Sequence, residues 1–192
     1  MANHHHFILH KPFGYLSQFV THQTKRKNKK LLGELYNFPE GTMAIGRLDE
    51  ASEGLLLLTT DGKLSDRVRS KKVEKEYYVQ VDGEITNEAI EKLKQGVEIS
   101  INGKKYTTLP GHAARLQTDP RLEPREKQIR DERHGPTSWL SVTITEGKFR
   151  QVRKMSAAVG FPALRLVRVR IGHILLGNLP PGKVLKMSNL EF

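Results

Sequence analysis

A carboxylate and a guanidinium lie side by side in the segment Gly46-Arg47-Leu48-Asp49, shortly before the apolar run of residues 55–60. The short apolar stretch of residues 43–45 ahead of it predicts that the segment is a loop between two strands. On such a loop Asp49 could act as a nucleophile or general base, and Arg47 would keep the carboxylate ionised. The alternative is structural: aspartate is common at turns, where Asp49 would cap the chain and Arg47 would be solvated.

A second cluster of charge lies in residues 146–155, where the pattern predicts a helix over residues 148–159. Arg150, Arg153 and Lys154 are spaced i, i+3 and i+4, so they would share one face of that helix. The apolar residues form a neighbouring stripe: Phe149, Val152, Met155 and Val159. We expect the stripe to pack on a sheet and the basic face to line a cleft, although an ordinary amphipathic helix with a solvated cationic side is the alternative. Arginines in the next predicted strand favour the cleft.

Two adjacent tyrosines, Tyr77 and Tyr78, lie in an alternating segment that predicts a strand over residues 76–81. Neighbouring strand residues point to opposite faces of a sheet, so one tyrosine would pack inward while the other faces a cleft. A ring in a cleft could stack on a base and its hydroxyl could form a hydrogen bond. The alternative is that both rings only fill the faces of the sheet.

The chain as a whole is strongly basic. Its 192 residues include 32 Lys and Arg against 21 Asp and Glu, for a formal net charge of +11. Clustered cations gain affinity for nucleic acid by releasing phosphate counterions, so nucleic acid is the expected partner. Lys25, Arg26 and Lys27 begin a basic run that we expect to contact RNA backbone. We expect no membrane binding, because the sequence has no long basic amphipathic helix with a continuous apolar face.

The sequence predicts neither a metal nor a cofactor. It has no cysteine, which excludes disulfides and thiolate metal sites and fits a reducing cytoplasm. The run His4-His5-His6 has no acidic residue at ligand spacing and is expected to be a flexible tail. No glycine-rich phosphate-binding motif is present, which disfavours a nucleotide-driven or hydride-transfer enzyme.

Apolar patterns and turn signals predict the elements that must position these residues. Strands are predicted over residues 7–12, 43–45, 55–60, 76–81, 97–101, 104–108, 139–145 and 164–171, and helices over 63–70, 87–95 and 148–159. Residues 119–136 are rich in charge and proline and predict an exposed, mobile loop. Because strands outnumber helices and hairpins are frequent, the expected class is α+β with a mostly antiparallel sheet.

Four segments resemble, in the same order, those of bacterial pseudouridine synthases of the RsuA family. They are residues 9–14, 46–59, 75–77 and 146–168, and together they span nearly the whole chain. The stretch of residues 136–140 is similar to the large-subunit synthase E subgroup, which modifies 23S ribosomal RNA. The resemblance implies the pseudouridine synthase fold, a mostly antiparallel mixed sheet flanked by helices and loops. It implies one catalytic domain made of two fused subdomains with a central cleft.

The resemblance also implies which residues form the site. Asp49 would be the catalytic aspartate, and Tyr77 would stack on the target base and assist proton transfer at C5. Arg153 would pair with the carboxylate, Arg47 would help to fill the space left by the flipped nucleotide, and Leu166 would lie near the bound base. The other residues expected to bind RNA on this part of the chain are Arg150, Lys154 and Arg168.

The implied reaction converts uridine to pseudouridine. The N1–C1′ bond breaks, the uracil turns and C5 bonds to C1′, without any redox change, so neither cofactor nor metal is needed. The carboxylate could attack C1′ or abstract a sugar proton to give a glycal, and both routes stay open. The base must first leave the RNA stack at a cost of a few kcal/mol, which a basic cleft and a stacking tyrosine can offset.

Two other functions compete with this one. A non-catalytic ribosome-assembly factor on the same fold would bind ribosomal RNA, but it would not need Asp49, Tyr77 and Arg153 together. A nuclease would use several carboxylates around Mg²⁺, for which Glu50 and Glu53 near Asp49 are the candidates. We also expect a cytoplasmic monomer with no S4-type RNA-binding domain ahead of the first strand.

Overall fold

The computed structural model describes residues 4–20, 29–70, 73–125, 127–130 and 132–192. Within these residues the strands are β1 His6–Lys11, β2 Met43–Ile45, β3 Glu53–Thr59, β4 Lys75–Asp82, β5 Glu98–Ile101, β6 Lys104–Thr107, β7 His112–Arg115, β8 Thr137–Ile144, β9 Ala163–Ile171, β10 Ile174–Leu175 and β11 Val184–Met187. The α-helices are α1 Gly62–Ser70, α2 Asn87–Gln95 and α3 Gln151–Ala158, and two short 3-10 turns lie at Leu32–Glu34 and Glu132–His134. No helix of this described part has the length and apolar character that crossing a membrane requires.

The chain divides into two compact units. The first comprises Met1–Val73 and Arg168–Phe192, and the second comprises Glu74–Val167. The chain returns from the second unit to the first within β9. The α+β class with a mostly antiparallel sheet is confirmed.

The first unit is organised around β1, which pairs antiparallel with both β11 and β3, while β2 pairs antiparallel with β3. Every residue of β1 and β3 is buried, including polar ones such as His10 and Glu53, so burial along these strands is continuous rather than alternating. Their core cluster consists of Phe7, Leu9, Leu32, Leu56 and Leu58. The unit therefore provides a rigid base for the loop that carries Asp49.

The second unit is organised around β8, which pairs antiparallel with β4 and β7. In β4 the buried residues Tyr77, Val79 and Val81 alternate with half-buried ones. The helix predicted over residues 87–95 is confirmed, and it is capped by the Thr86 hydroxyl, which accepts a hydrogen bond from the Ala89 N–H at 3.2 Å. The predicted hairpin is also confirmed, with Asn102-Gly103 joining β5 to β6.

The predicted start of the third helix is wrong. Helix α3 begins at Gln151, and Arg150 before it has a left-handed φ of +52°. Arg150 therefore does not share a helix face with Arg153 and Lys154, and Phe149 is 63% exposed instead of belonging to the apolar stripe. The physical reason is the Gln151 side chain, whose Oε1 accepts the Lys148 N–H at 2.9 Å and holds the preceding residues in a loop.

The prediction that the run of residues 4–6 is a flexible tail is wrong for His6. His6 begins β1, is 8% exposed, and has its Nδ1 2.9 Å from the Thr59 Oγ1. Burial lowers the pKa of His6 below its ordinary value. The backbone N–H of His5 donates to the Thr60 hydroxyl at 2.9 Å, so contacts with Thr59 and Thr60 hold His5 and His6 in place.

The structure ties the charged loop of residues 119–136 to the second unit at two points. The Arg130 guanidinium forms an ion pair with Asp82 at the end of β4. Arg165, which is 5% exposed in β9, donates to the Glu123 carbonyl oxygen at 2.7 Å. The loop is thus anchored by distant residues, which its own polar composition does not reveal.

Candidate active site

Asp49 lies on the loop between β2 and β3 of the first unit. Gly46 opens the loop with a φ of +75°, a conformation that L side chains rarely adopt. Arg47 then points to solvent, Leu48 is buried, and Asp49 is half-buried. The local order of side chains therefore keeps Asp49 partly accessible at the edge of an apolar core.

Backbone and side-chain hydrogen bonds hold this loop in place. The Ser17 hydroxyl donates to the Leu48 carbonyl oxygen at 2.8 Å and accepts the Leu48 N–H at 2.9 Å. The Asp49 carbonyl oxygen accepts the Ser52 N–H at 3.0 Å, and the Gly14 N–H donates to the Glu50 carbonyl oxygen at 2.9 Å. A reactive carboxylate on such a braced loop needs little reorganisation during the reaction.

Lys11 is the residue of this site that sequence reasoning missed. Its side chain is fully buried at the end of β1, and its ammonium donates to the carbonyl oxygens of Pro12 at 2.9 Å and Tyr15 at 2.6 Å. A longer contact of 3.4 Å reaches the Glu50 carbonyl oxygen, next to Asp49. A lysine at the end of a strand with an apolar centre, residues 7–9, is the signal that could have found it.

The charge state of Lys11 depends on its surroundings. The pKa of its ammonium is lowered to about 7, chiefly by burial, and the positive charge of Arg168 acts in the same direction. The carboxylates of Glu53, Asp49 and Glu50 act in the opposite direction and favour the charged form. Lys11 is therefore a cation among carboxylates that loses its proton near neutral pH.

Arg168, predicted to bind RNA, is 3% exposed in the first unit. Its Nε donates to the Leu55 carbonyl oxygen at 2.7 Å, so it supports the strand that follows the Asp49 loop. Direct contact between Arg168 and RNA stays a prediction. The predicted RNA contacts at residues 25–27 (Lys25, Arg26 and Lys27) lie outside the described residues.

The second unit carries the other predicted site residues. Tyr77 lies in β4 opposite Val142 of β8 and is 8% exposed, and Leu166 in β9 is 5% exposed. Arg153 lies in the first turn of α3, where its Nη1 donates to the Ala163 carbonyl oxygen at 3.2 Å. Lys154 follows it and donates to the Ser100 carbonyl oxygen at 2.6 Å.

The predicted site residues thus form two sets. Asp49, Arg47 and Arg168 belong to the first unit, whereas Tyr77, Arg150, Arg153, Lys154 and Leu166 belong to the second. Around the Lys11 ammonium the structure brings together the carboxylates of Asp49, Glu50 and Glu53. Within the residues that the structure describes, no group of three or more His, Asp or Glu side chains could hold a metal ion.

The chain belongs to the RNA pseudouridylate synthase family, whose sequence model matches residues 5–158. The protein named Ribosomal large subunit pseudouridine synthase E from Xanthomonas campestris pv. campestris is 44% identical over 178 residues, covering 92% of this chain and 91% of that protein. The protein of the same name from Vibrio vulnificus is 42% identical over 183 residues, covering 94% of this chain and 74% of the relative. These relatives confirm the resemblance to the large-subunit subgroup of the RsuA family.

A crystal structure of a pseudouridylate synthase superimposes with a TM-score of 0.75 at 24% identity, over 97% of this chain and 71% of that one. This likeness confirms the pseudouridine synthase fold. Family membership makes the chain an isomerase that acts on RNA. This activity is favoured over the two competing functions, a non-catalytic assembly factor and a nuclease.

Proposed function

We propose that this protein converts a uridine of ribosomal RNA, and specifically of 23S ribosomal RNA, to pseudouridine. The observation that carries the proposal is the Asp49 loop. Asp49 is half-buried on it, and the loop backbone on either side is held by the Ser17 hydroxyl at Leu48 and by the buried Lys11 ammonium at Glu50. The names of the relatives support ribosomal RNA of the large subunit as the substrate. The net charge of +11 supports binding to its phosphates.

Each site residue has a proposed role in this reaction. Asp49 attacks C1′ or removes a sugar proton, so that the N1–C1′ bond breaks and the freed uracil can turn. When C5 then bonds to C1′, the bond between Asp49 and C1′ breaks on the first route, and the proton returns from Asp49 to the sugar on the second. Tyr77 stacks on the uracil and assists loss of the C5 proton after C5 has bonded to C1′. Arg153 stabilises the carboxylate, Arg47 occupies the space of the extruded nucleotide, and Leu166 contacts the base.

The remaining cations are proposed to bind phosphates. They are Arg150, Lys154 and Arg168, together with Lys25, Arg26 and Lys27. Such contacts give affinity and register but read no bases. We further propose that the protein acts as a monomer in the cytoplasm, where unmodified ribosomal RNA is available.

The proposal is tested by mapping pseudouridine on unmodified transcripts of large- and small-subunit ribosomal RNA. Carbodiimide-stop primer extension after incubation with the wild-type protein should show a new stop in the large-subunit RNA only. Asp49→Asn should give no stop, whereas Asp66→Asn, which changes an exposed aspartate of the same unit, should match the wild type. A stop in small-subunit RNA alone would refute the proposed substrate, and a stop with Asp49→Asn would refute the proposed nucleophile.

A further inference from the structure

The loop of residues 146–150 presents an aromatic ring that the protein core does not use. Phe149 is 63% exposed and immediately precedes Arg150, which has a φ of +52°. Because α3 begins only at Gln151, Phe149 lies outside the helix face that buries Val152 and Met155. A non-glycine residue in the left-handed region costs free energy that the surrounding structure must supply, and such residues cluster at functional sites.

A hydrogen-bond network around Glu146 fixes this loop. Glu146 accepts the Tyr106 hydroxyl at 2.5 Å, and its other oxygen accepts the Leu109 N–H at 2.8 Å and the Gln151 side-chain amide at 2.5 Å. Gln151 is 3% exposed, and its Oε1 accepts the Lys148 N–H. The ring of Phe149 is thus carried by an ordered segment, so a ligand that stacks on it need not order the loop first.

Cations surround the exposed ring. The Lys154 ammonium lies over Phe149 at 5.3 Å from the ring centroid, while it donates to the Ser100 carbonyl oxygen. The Lys148 ammonium lies over the neighbouring Tyr106 ring at 4.9 Å, and the Arg150 side chain is exposed. An exposed aromatic ring among fixed cations matches single-stranded nucleic acid, which offers flat bases and phosphates. It matches a protein partner less well, because charged residues are depleted at the centres of protein interfaces.

We propose that Phe149 is a stacking platform for an unpaired nucleobase of the RNA substrate, and that Lys148, Arg150 and Lys154 bind the adjoining phosphates. This inference rests on the proposed function, because the platform would bind a second nucleotide of the same RNA that contains the isomerised uridine. The ring would select RNA that has an unpaired nucleotide at this position over RNA that is paired there.

Fluorescence and binding measurements test the platform. Phe149→Ala should weaken binding to an RNA hairpin with an unpaired loop by about 5-fold to 150-fold, the range expected for one stacked base. The salt dependence should be unchanged, because no charge is lost. Phe149→Trp should retain the affinity, and its added fluorescence should be quenched by the hairpin but not by the fully paired duplex. Trp139 is the single tryptophan of the natural chain, so the wild-type protein supplies the background.

The control variant is Leu175→Ala, which removes another apolar side chain that is 62% exposed, and it should bind the hairpin like the wild type. Unchanged affinity of Phe149→Ala, or equal quenching by hairpin and duplex, would overturn the platform. Turnover of ribosomal RNA by the wild-type protein is measured in parallel. If the wild type isomerises no uridine, the proposed function fails; if it does and Phe149→Ala binds normally, only the platform fails.

Discussion

The buried ammonium of Lys11 makes the stability of the protein depend on pH in a direction that can be calculated. In the folded protein burial lowers the pKa of Lys11 from 10.5 to about 7. Below about pH 7 both the folded and the unfolded chain carry this proton, so Lys11 adds no pH dependence there. Above that pH, and up to about 10.5, the unfolded chain holds a proton that the folded protein has released, so the free energy of unfolding rises with pH.

The size of the effect follows from the two pKa values. Each pH unit inside this window contributes about 1.4 kcal/mol, and the half-titrated state at the lower end reduces the first step. Between about pH 7 and about pH 9 the wild-type protein should therefore gain about 2 kcal/mol relative to Lys11→Met, which cannot titrate at this position. Titrating groups distant from Lys11 are shared by the two proteins, so their contributions cancel in the difference.

Urea unfolding of both proteins at these two pH values measures the quantity directly. Lys186→Met, which removes an exposed lysine, controls for the loss of one positive charge. A difference in unfolding free energy that stays constant with pH would refute the burial of a titrating Lys11. A difference that shrinks as the pH rises through this window would contradict a lowered pKa of Lys11 in the folded protein.

Three further predictions concern stability and local electrostatics. Gly96→Ala should destabilise the protein by at least about 2 kcal/mol in urea unfolding, because the new Cβ would lie 2.3 Å from the Thr108 carbonyl oxygen at a φ of +98°. The control Gly103→Ala, at a φ of +78° in open space, should cost only about 1 kcal/mol, and equal costs would contradict the clash. Arg168→Lys should lower the free energy of unfolding by about 1–3 kcal/mol because the hydrogen bond to the buried Leu55 carbonyl is lost, and an unchanged urea midpoint would argue against that role. The hydrogen bond to Glu146 raises the pKa of Tyr106, so Glu146→Gln should lower that pKa in a titration of tyrosinate absorbance. An unchanged titration would mean that the bond is absent in solution, and Glu98→Gln is the control.

Local features of the fold were predictable from the sequence because their causes lie within a few residues. Thr86 and Gly96 bound α2 through hydrogen bonds to nearby backbone, and Asn102-Gly103 forms its hairpin turn without help from distant residues. The strand that ends before the Asp49 loop was likewise placed correctly, since Gly46 follows a short apolar stretch directly.

Features set by distant residues were not predictable. The predicted start of α3 was wrong because the Gln151 side chain, which holds the preceding residues in a loop, is itself bound by Glu146. Glu146 in turn binds Tyr106 and Leu109, about 40 residues earlier. Strand β7 has only alanines as apolar residues, so no apolar alternation marks it. The burial of Lys11 depends on the pairing of β1 with β3, where Lys11 lies opposite Gly54. Asp49 could be named as a candidate from its neighbours in the sequence, but the hydrogen bonds that hold its loop could not be predicted.

Release of tritium from RNA labelled at C5 of uridine tests most directly whether Asp49 catalyses the isomerisation of uridine. Isomerisation replaces the C5–H bond with a bond to C1′, so each turnover releases the label. The wild-type protein and Asp66→Asn should release tritium from large-subunit ribosomal RNA at the same rate. Asp49→Asn should release none above background while binding that RNA within about 3-fold of the wild type, since phosphate contacts dominate the affinity. Release by Asp49→Asn at the wild-type rate would contradict the account, because the carboxylate would then take no part in breaking the glycosidic bond.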